Sequence, residues 1–133
     1  MIAGHVDDNL EPIIHLLVRA RSSRGRTISF VVDTGYNGFL VLPSKLIDEL
    51  QLLKLGSDEA ELADGSIVEY RVFHAEVEWD GACIEIEVDE SDTTPLLGTA
   101  LLRGYELTAQ MRPHGKLTLK KLPPKRTTKK RKP

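Results

Sequence analysis

Apolar positions in this chain gather into short runs separated by turn-forming residues, with long amphipathic periods rare. Residues 13–20, Ile-Ile-His-Leu-Leu-Val-Arg-Ala, form one such run, and residues 27–32 form another. Between them residues 21–26 are rich in Ser, Arg and Gly, so the pattern predicts a strand–turn–strand hairpin. His15, inside the first strand, reads as a half-buried structural side chain. Residues 1–12 are mixed and read as a loose lead-in. After Leu42 the period changes: Leu46, Ile47, Leu50 and Leu53 recur at helical spacing behind Pro43. This predicts a helix over residues 43–53, with Pro43 in its first turn and Gly56 as terminator.

Two further hairpins follow. Ala63-Asp64-Gly65-Ser66 lies between strand-like residues 59–62 and 67–73 and predicts a two-residue turn. The next turn is centred on residues 78–82. Placing Asp80-Gly81 in its loop sets Val77 opposite Ile84, Ala75 opposite Ile86 and Phe73 opposite Val88. That register leaves His74, Glu76, Glu78, Glu85 and Glu87 on the other, solvated face. Residues 91–94 are a polar loop, and Pro95-Leu96-Leu97-Gly98 returns to the core. Residues 105–111 and 116–122 complete the strands, joined through 112–115. The fold class is therefore mostly β.

At 133 residues the chain fits one domain, over residues 13–122. No apolar run reaches membrane-spanning length, and no secretory leader pattern opens the sequence. Cys83 is the single cysteine, so no internal disulfide forms, which suits a reducing cytoplasm; its expected role is packing. His5, His15, His74 and His114 show no metal-ligand spacing, so no metal is expected. The net charge of −2 conceals an asymmetry. Residues 125–133 carry six basic side chains and no acidic one, leaving the preceding residues at −8. Following Pro123-Pro124, residues 123–133 read as a disordered basic tail. Such a tail either contacts an anionic partner, nucleic acid or a membrane surface, weakly and nonspecifically, or serves solubility alone.

The chemistry concentrates in residues 30–43, Phe-Val-Val-Asp-Thr-Gly-Tyr-Asn-Gly-Phe-Leu-Val-Leu-Pro. Asp33 stands at the end of one apolar run, and a second run begins just beyond it. A carboxylate at a buried strand end is costly unless something stabilises it or keeps it protonated. Gly35 and Asn37-Gly38 can take positive φ, which would let the chain bend sharply around the acid. On residue chemistry alone this is either a displayed catalytic acid or an Asx-turn that caps its own backbone.

Val32-Asp33-Thr34-Gly35 resembles the catalytic loop of aspartic proteases. Asp33 to Gly38 is similar to a bacterial, single-domain branch of the retropepsin-like enzymes (clan AA). Leu96-Leu97-Gly98, downstream in the expected order, resembles the second hallmark of that family. The resemblance implies a half-barrel with one or two short helices, active as a symmetric dimer, with Leu96-Leu97-Gly98 packed beside the catalytic loop. A short helix ending at Gly104 would follow. It implies catalytic roles for Asp33, Thr34 and Gly35 in an aspartic endopeptidase acting on a peptide or protein substrate. Ala63, Asp64, Gly65 and Ser66 match by position the flap that binds substrate, although any surface hairpin carries similar residues. No cofactor is implied. Only one Asp-Thr-Gly is present, and two carboxylates sharing a proton are needed, so a homodimer must supply the second. Tyr36 departs from the family, which commonly has a small residue there.

Overall fold

The computed structural model describes residues 1–125, so the tail expected at 123–133 lies almost wholly outside the described residues. Among the described residues ten strands and two short helices follow in the order β1 (Ile2–Val6), β2 (Pro12–Arg19), β3 (Arg26–Val32), β4 (Leu40–Leu42), α1 (Ser44–Leu50), β5 (Leu53–Glu61), β6 (Ile67–Trp79), β7 (Ala82–Glu90), β8 (Leu96–Leu97), α2 (Thr99–Leu102), β9 (Tyr105–Ala109) and β10 (Lys116–Lys121). They form one sheet in the order β5-β6-β7-β4-β8-β3-β2-β1-β10-β9, and an extra pairing of β6 with β2 closes its middle into a barrel. Strand β2 makes the closure: Ile13 to Val18 pair with β3, while Val18 and Arg19 also pair with Val77 and Glu76. Arg19 and Glu76 form a 3.3 Å ion pair at that seam.

Inward-facing positions fill the barrel. Ile14, Phe30, Leu40, Val88 and Leu97 come from five different strands and are fully buried. Each such side chain contributes about 1.5–3 kcal/mol on burial. The β6–β7 register is the predicted one, with Phe73–Val88, Ala75–Ile86 and Val77–Ile84 as partners. Its turn takes positive φ at both Asp80 (50°) and Gly81 (82°), as a two-residue hairpin that follows the strand twist requires.

Several expectations need correction. The lead-in is not loose: Ile2–Val6 is a strand between β10 and β2, and Val6 is fully buried. Its partner β10 lies over a hundred residues away, so no local pattern announces it. Gly4 permits the approach, because a Cβ there would come 2.2 Å from the Ile13 carbonyl oxygen. The helix is shorter than predicted, spanning Ser44–Leu50 with Pro43 at the extended N-cap. It ends at Gln51, in the left-handed region at φ 55°, and not at Gly56; Leu53 already belongs to β5. Leu52 is buried, so the chain has to turn early to dock it. The β5–β6 loop has three residues, not two. Leu62 and Ser66 pair through a 2.8 Å bond, and Gly65 takes φ 86°. Cys83 is exposed rather than packed, its sulfur 3.2 Å from the Arg19 guanidinium. His15 is exposed too, stacked on His5 and bonded to the Ser29 hydroxyl, because an outward position on β2 faces solvent.

Candidate active site

Strand β3 delivers Asp33 to one end of the barrel. Val32 is buried and Asp33 is half-buried, while Thr34 and Gly35 are exposed. The short strand β8 runs between β3 and β4, parallel to the first (Val31–Leu96, Val32–Leu97) and antiparallel to the second (Leu40–Leu97). The Asp33 N–H extends the parallel ladder by donating to the Leu97 carbonyl at 2.9 Å. The Gly35 N–H donates to Asp33 Oδ1 at 2.8 Å, and the Tyr36 N–H to the Asp33 carbonyl at 3.2 Å. One carboxylate oxygen is thereby fixed by its own loop. The other, Oδ2, has no hydrogen-bond partner among the described residues. An Asx-turn is thus present, and it orients the acid without using it up.

The loop is braced from behind. Gly98, Thr99 and Ala100 donate their N–H groups in succession to the carbonyls of Phe39 (2.9 Å), Tyr36 (2.8 Å) and Gly38 (3.1 Å). The Thr99 hydroxyl adds a 3.3 Å bond to the Tyr36 carbonyl. Leu96-Leu97-Gly98 therefore packs beside the Asp33 loop, as the resemblance implied. The glycines serve a purpose other than the one expected. Neither Gly35, Asn37 nor Gly38 takes positive φ. A Cβ on Gly98 would lie 2.2 Å from the Gly38 carbonyl oxygen and 2.5 Å from the Tyr36 ring, and one on Gly38 would lie 2.2 Å from the Tyr36 hydroxyl. Close approach, not a left-handed bend, is what excludes side chains here.

Tyr36 folds back beneath its own loop. Its hydroxyl donates to Asp89 Oδ2 at 2.5 Å, with the Leu40 carbonyl a second acceptor at 3.2 Å. Burial first, and the Asp89 carboxylate second, push the phenol far above its ordinary pKa. It remains a donor throughout the range in which carboxylates titrate. Asp89 lies 53 positions from Tyr36, and nothing in the sequence marked it as part of this region.

Beside Tyr36 opens a cleft of about 430 Å3 between the barrel and the β5–β6 hairpin. Ala60, Leu62, Val68 and Tyr70 line its hairpin side; Tyr36, Ser44, Asp89, Glu90 and Asp92 are among the barrel-side residues. Ala63, Asp64, Gly65 and Ser66 form the exposed hairpin tip and do not line the cleft, nor does Asp33. At the tip, Asp64 Oδ1 accepts both the N–H (2.9 Å) and the hydroxyl (2.6 Å) of Ser66, which hold its carboxyl below the usual range. The strands behind the tip form the wall. Alternation of Glu59 and Glu61 with Ala60 and Leu62 was the sequence signal for that apolar face, and it escaped the turn-centred reading. Among the described residues no three His, Cys, Asp or Glu side chains converge as metal ligands.

No family model matches the sequence, and no curated protein matches it either. Among solved structures, the EIAV protease complexed with the inhibitor HBY-793 has a TM-score of 0.57 at 19% identity, covering 70% of this chain and 86% of its own. The chain has a retropepsin-like fold.

Proposed function

We propose that this protein is an aspartic endopeptidase of the bacterial retropepsin-like kind, assembled as a homodimer and acting in the cytoplasm on peptide or protein substrates. The observation that carries the reading is the state of Asp33. Its Oδ1 is held by Gly35, its Oδ2 is unengaged, and its neighbours Thr34 and Gly35 face solvent. A second copy meeting this end of the barrel would bring two carboxylates together. The retropepsin-like fold supports the same arrangement.

In the mechanism, the two Asp33 carboxyl groups share one proton and hold a water between them. The ionised one takes a proton from the water as its oxygen attacks the scissile carbonyl. The protonated one donates to the carbonyl oxygen, giving a neutral tetrahedral diol. A carboxylate then removes a diol proton while the other carboxyl protonates the nitrogen, and the C–N bond breaks to acid and amine. The pair titrates as a unit. The β5–β6 hairpin covers the peptide.

A digest of a peptide library by wild type and by Asp33→Asn, across acidic to neutral pH, tests this. Cleavage by wild type alone is the expected result; equal cleavage by both removes Asp33 from the chemistry. A second reading, a peptide-binding or regulatory dimer of the same fold without turnover, is favoured by the cleft adjoining Tyr36 rather than Asp33. It predicts binding with no cleavage by wild type.

A further inference from the structure

We propose that the cleft beneath the β5–β6 hairpin receives a lysine or arginine side chain of the bound polypeptide, making the substrate class a cationic one. The inference rests on the peptide-site reading above and deepens it. The cleft has two kinds of wall. Ala60, Leu62, Val68 and Tyr70 on the hairpin face Tyr36 on the barrel, and Leu62 and Val68 remain 48% and 43% exposed. Apolar walls of this sort cover methylene groups, which a lysine or arginine stem supplies.

The charged positions are all of one sign. Glu69, Asp89, Glu90 and Asp92 line the cleft and no basic side chain does. Two of these acids are committed. Glu90 is clamped by the Arg71 guanidinium from outside the lining, and Asp89 accepts the hydrogen bond of the Tyr36 hydroxyl. Asp92 accepts the Ser44 N–H at 3.0 Å, has no basic partner among the described residues, and keeps capacity for a further donor. Glu69 lies between Val68 and Tyr70 on β6 and opposite Glu59, so its carboxylate points to the other face of the hairpin and Asp92 is the available acid. An ammonium or guanidinium at the end of an apolar stem would find one available carboxylate, that of Asp92, at the rim. A carboxylate-bearing side chain would meet repulsion from Asp89, Glu90 and Asp92, and an uncharged one would gain only the stem contact.

The test is fluorescence anisotropy of labelled, alanine-rich octapeptides with the full-length Asp33→Asn variant, which removes turnover from the readout. Lysine, norleucine or glutamate is placed at each position in turn. At one position lysine should bind about tenfold tighter than norleucine, with glutamate weakest. The advantage should shrink in 1 M salt, where the screening length falls to about 3 Å. In Asp92→Asn it should vanish while norleucine binding persists. Equal affinity for lysine and norleucine at every position overturns the inference, as does no peptide binding or a lysine preference that survives Asp92→Asn. A parallel wild-type digest separates the two claims. Cleavage without a basic preference leaves the peptidase and removes this inference; lysine-selective binding without cleavage does the reverse.

Discussion

The Tyr36 hydroxyl donates to Asp89 across 2.5 Å, joining the loop that carries Asp33 to the end of strand β7. The bond fixes the ring between the loop and the cleft, so a residue beside the candidate acid also forms the cleft wall.

Removing that donor in Tyr36→Phe should lower stability by about 1.5–3 kcal/mol, the range for a hydrogen bond to a charged group. Urea unfolding of Tyr36→Phe, Asp89→Asn and the double variant measures the coupling. Strictly additive losses would mean that the bond contributes nothing. Because the phenol's folded pKa is raised, its contribution is fully present below about pH 10, the ordinary tyrosine value. Above that, the unfolded chain loses its proton more readily than the folded one, and stability falls.

Gly98→Ala should cost about 1–3 kcal/mol or more, since its Cβ would meet backbone and a pinned ring. Gly56→Ala is the matched control, with nothing within 4 Å of the added carbon and an expected change within about 0.5 kcal/mol. Equal losses in thermal or urea unfolding would show that the close packing of Gly98 on Gly38 is not limiting.

Thr34 is exposed and makes no side-chain hydrogen bond among the described residues. Thr34→Ala should leave monomer stability within about 0.5 kcal/mol of wild type. If Thr34 braces the proposed dimer, the dimer Kd should rise by roughly tenfold, the equivalent of about 1.4 kcal/mol. Sedimentation at graded concentrations reads the shift, and an unchanged Kd would place the interface elsewhere.

Acid should loosen the base of the cleft. The Arg71 guanidinium holds the Glu90 carboxyl below its ordinary value, so the folded state binds fewer protons there than the unfolded chain. The stabilisation is present above about pH 4.5 and is lost as pH falls through the lowered folded value. Glu90→Gln should flatten the stability profile between about pH 5 and 3. A profile as steep as wild type would assign the acid sensitivity to other groups.

The local sequence carried a large part of this account. Asp33 stood out as an acid at the end of an apolar run, while Asp33-Thr34-Gly35 and Leu96-Leu97-Gly98 as a pair were legible through their resemblance to the retropepsin-like family. The β6–β7 register followed from Asp80-Gly81 and strict alternation, since a slip of one position would expose Phe73, Ala75 and Val77 together. Turn chemistry and side-chain period act between near neighbours, so near neighbours suffice to read them.

Tertiary structure alone decided the rest. Ile2–Val6 becomes a strand because β10 returns beside it, and Gln51 ends α1 because Leu52 has a buried place to fill. Gly98 is required by the Gly38 carbonyl and the Tyr36 ring, and Asp89 meets that ring's hydroxyl from 53 positions away in the chain. These contacts join segments whose separation leaves no period or spacing in the sequence, and their energies appear only once the barrel has closed.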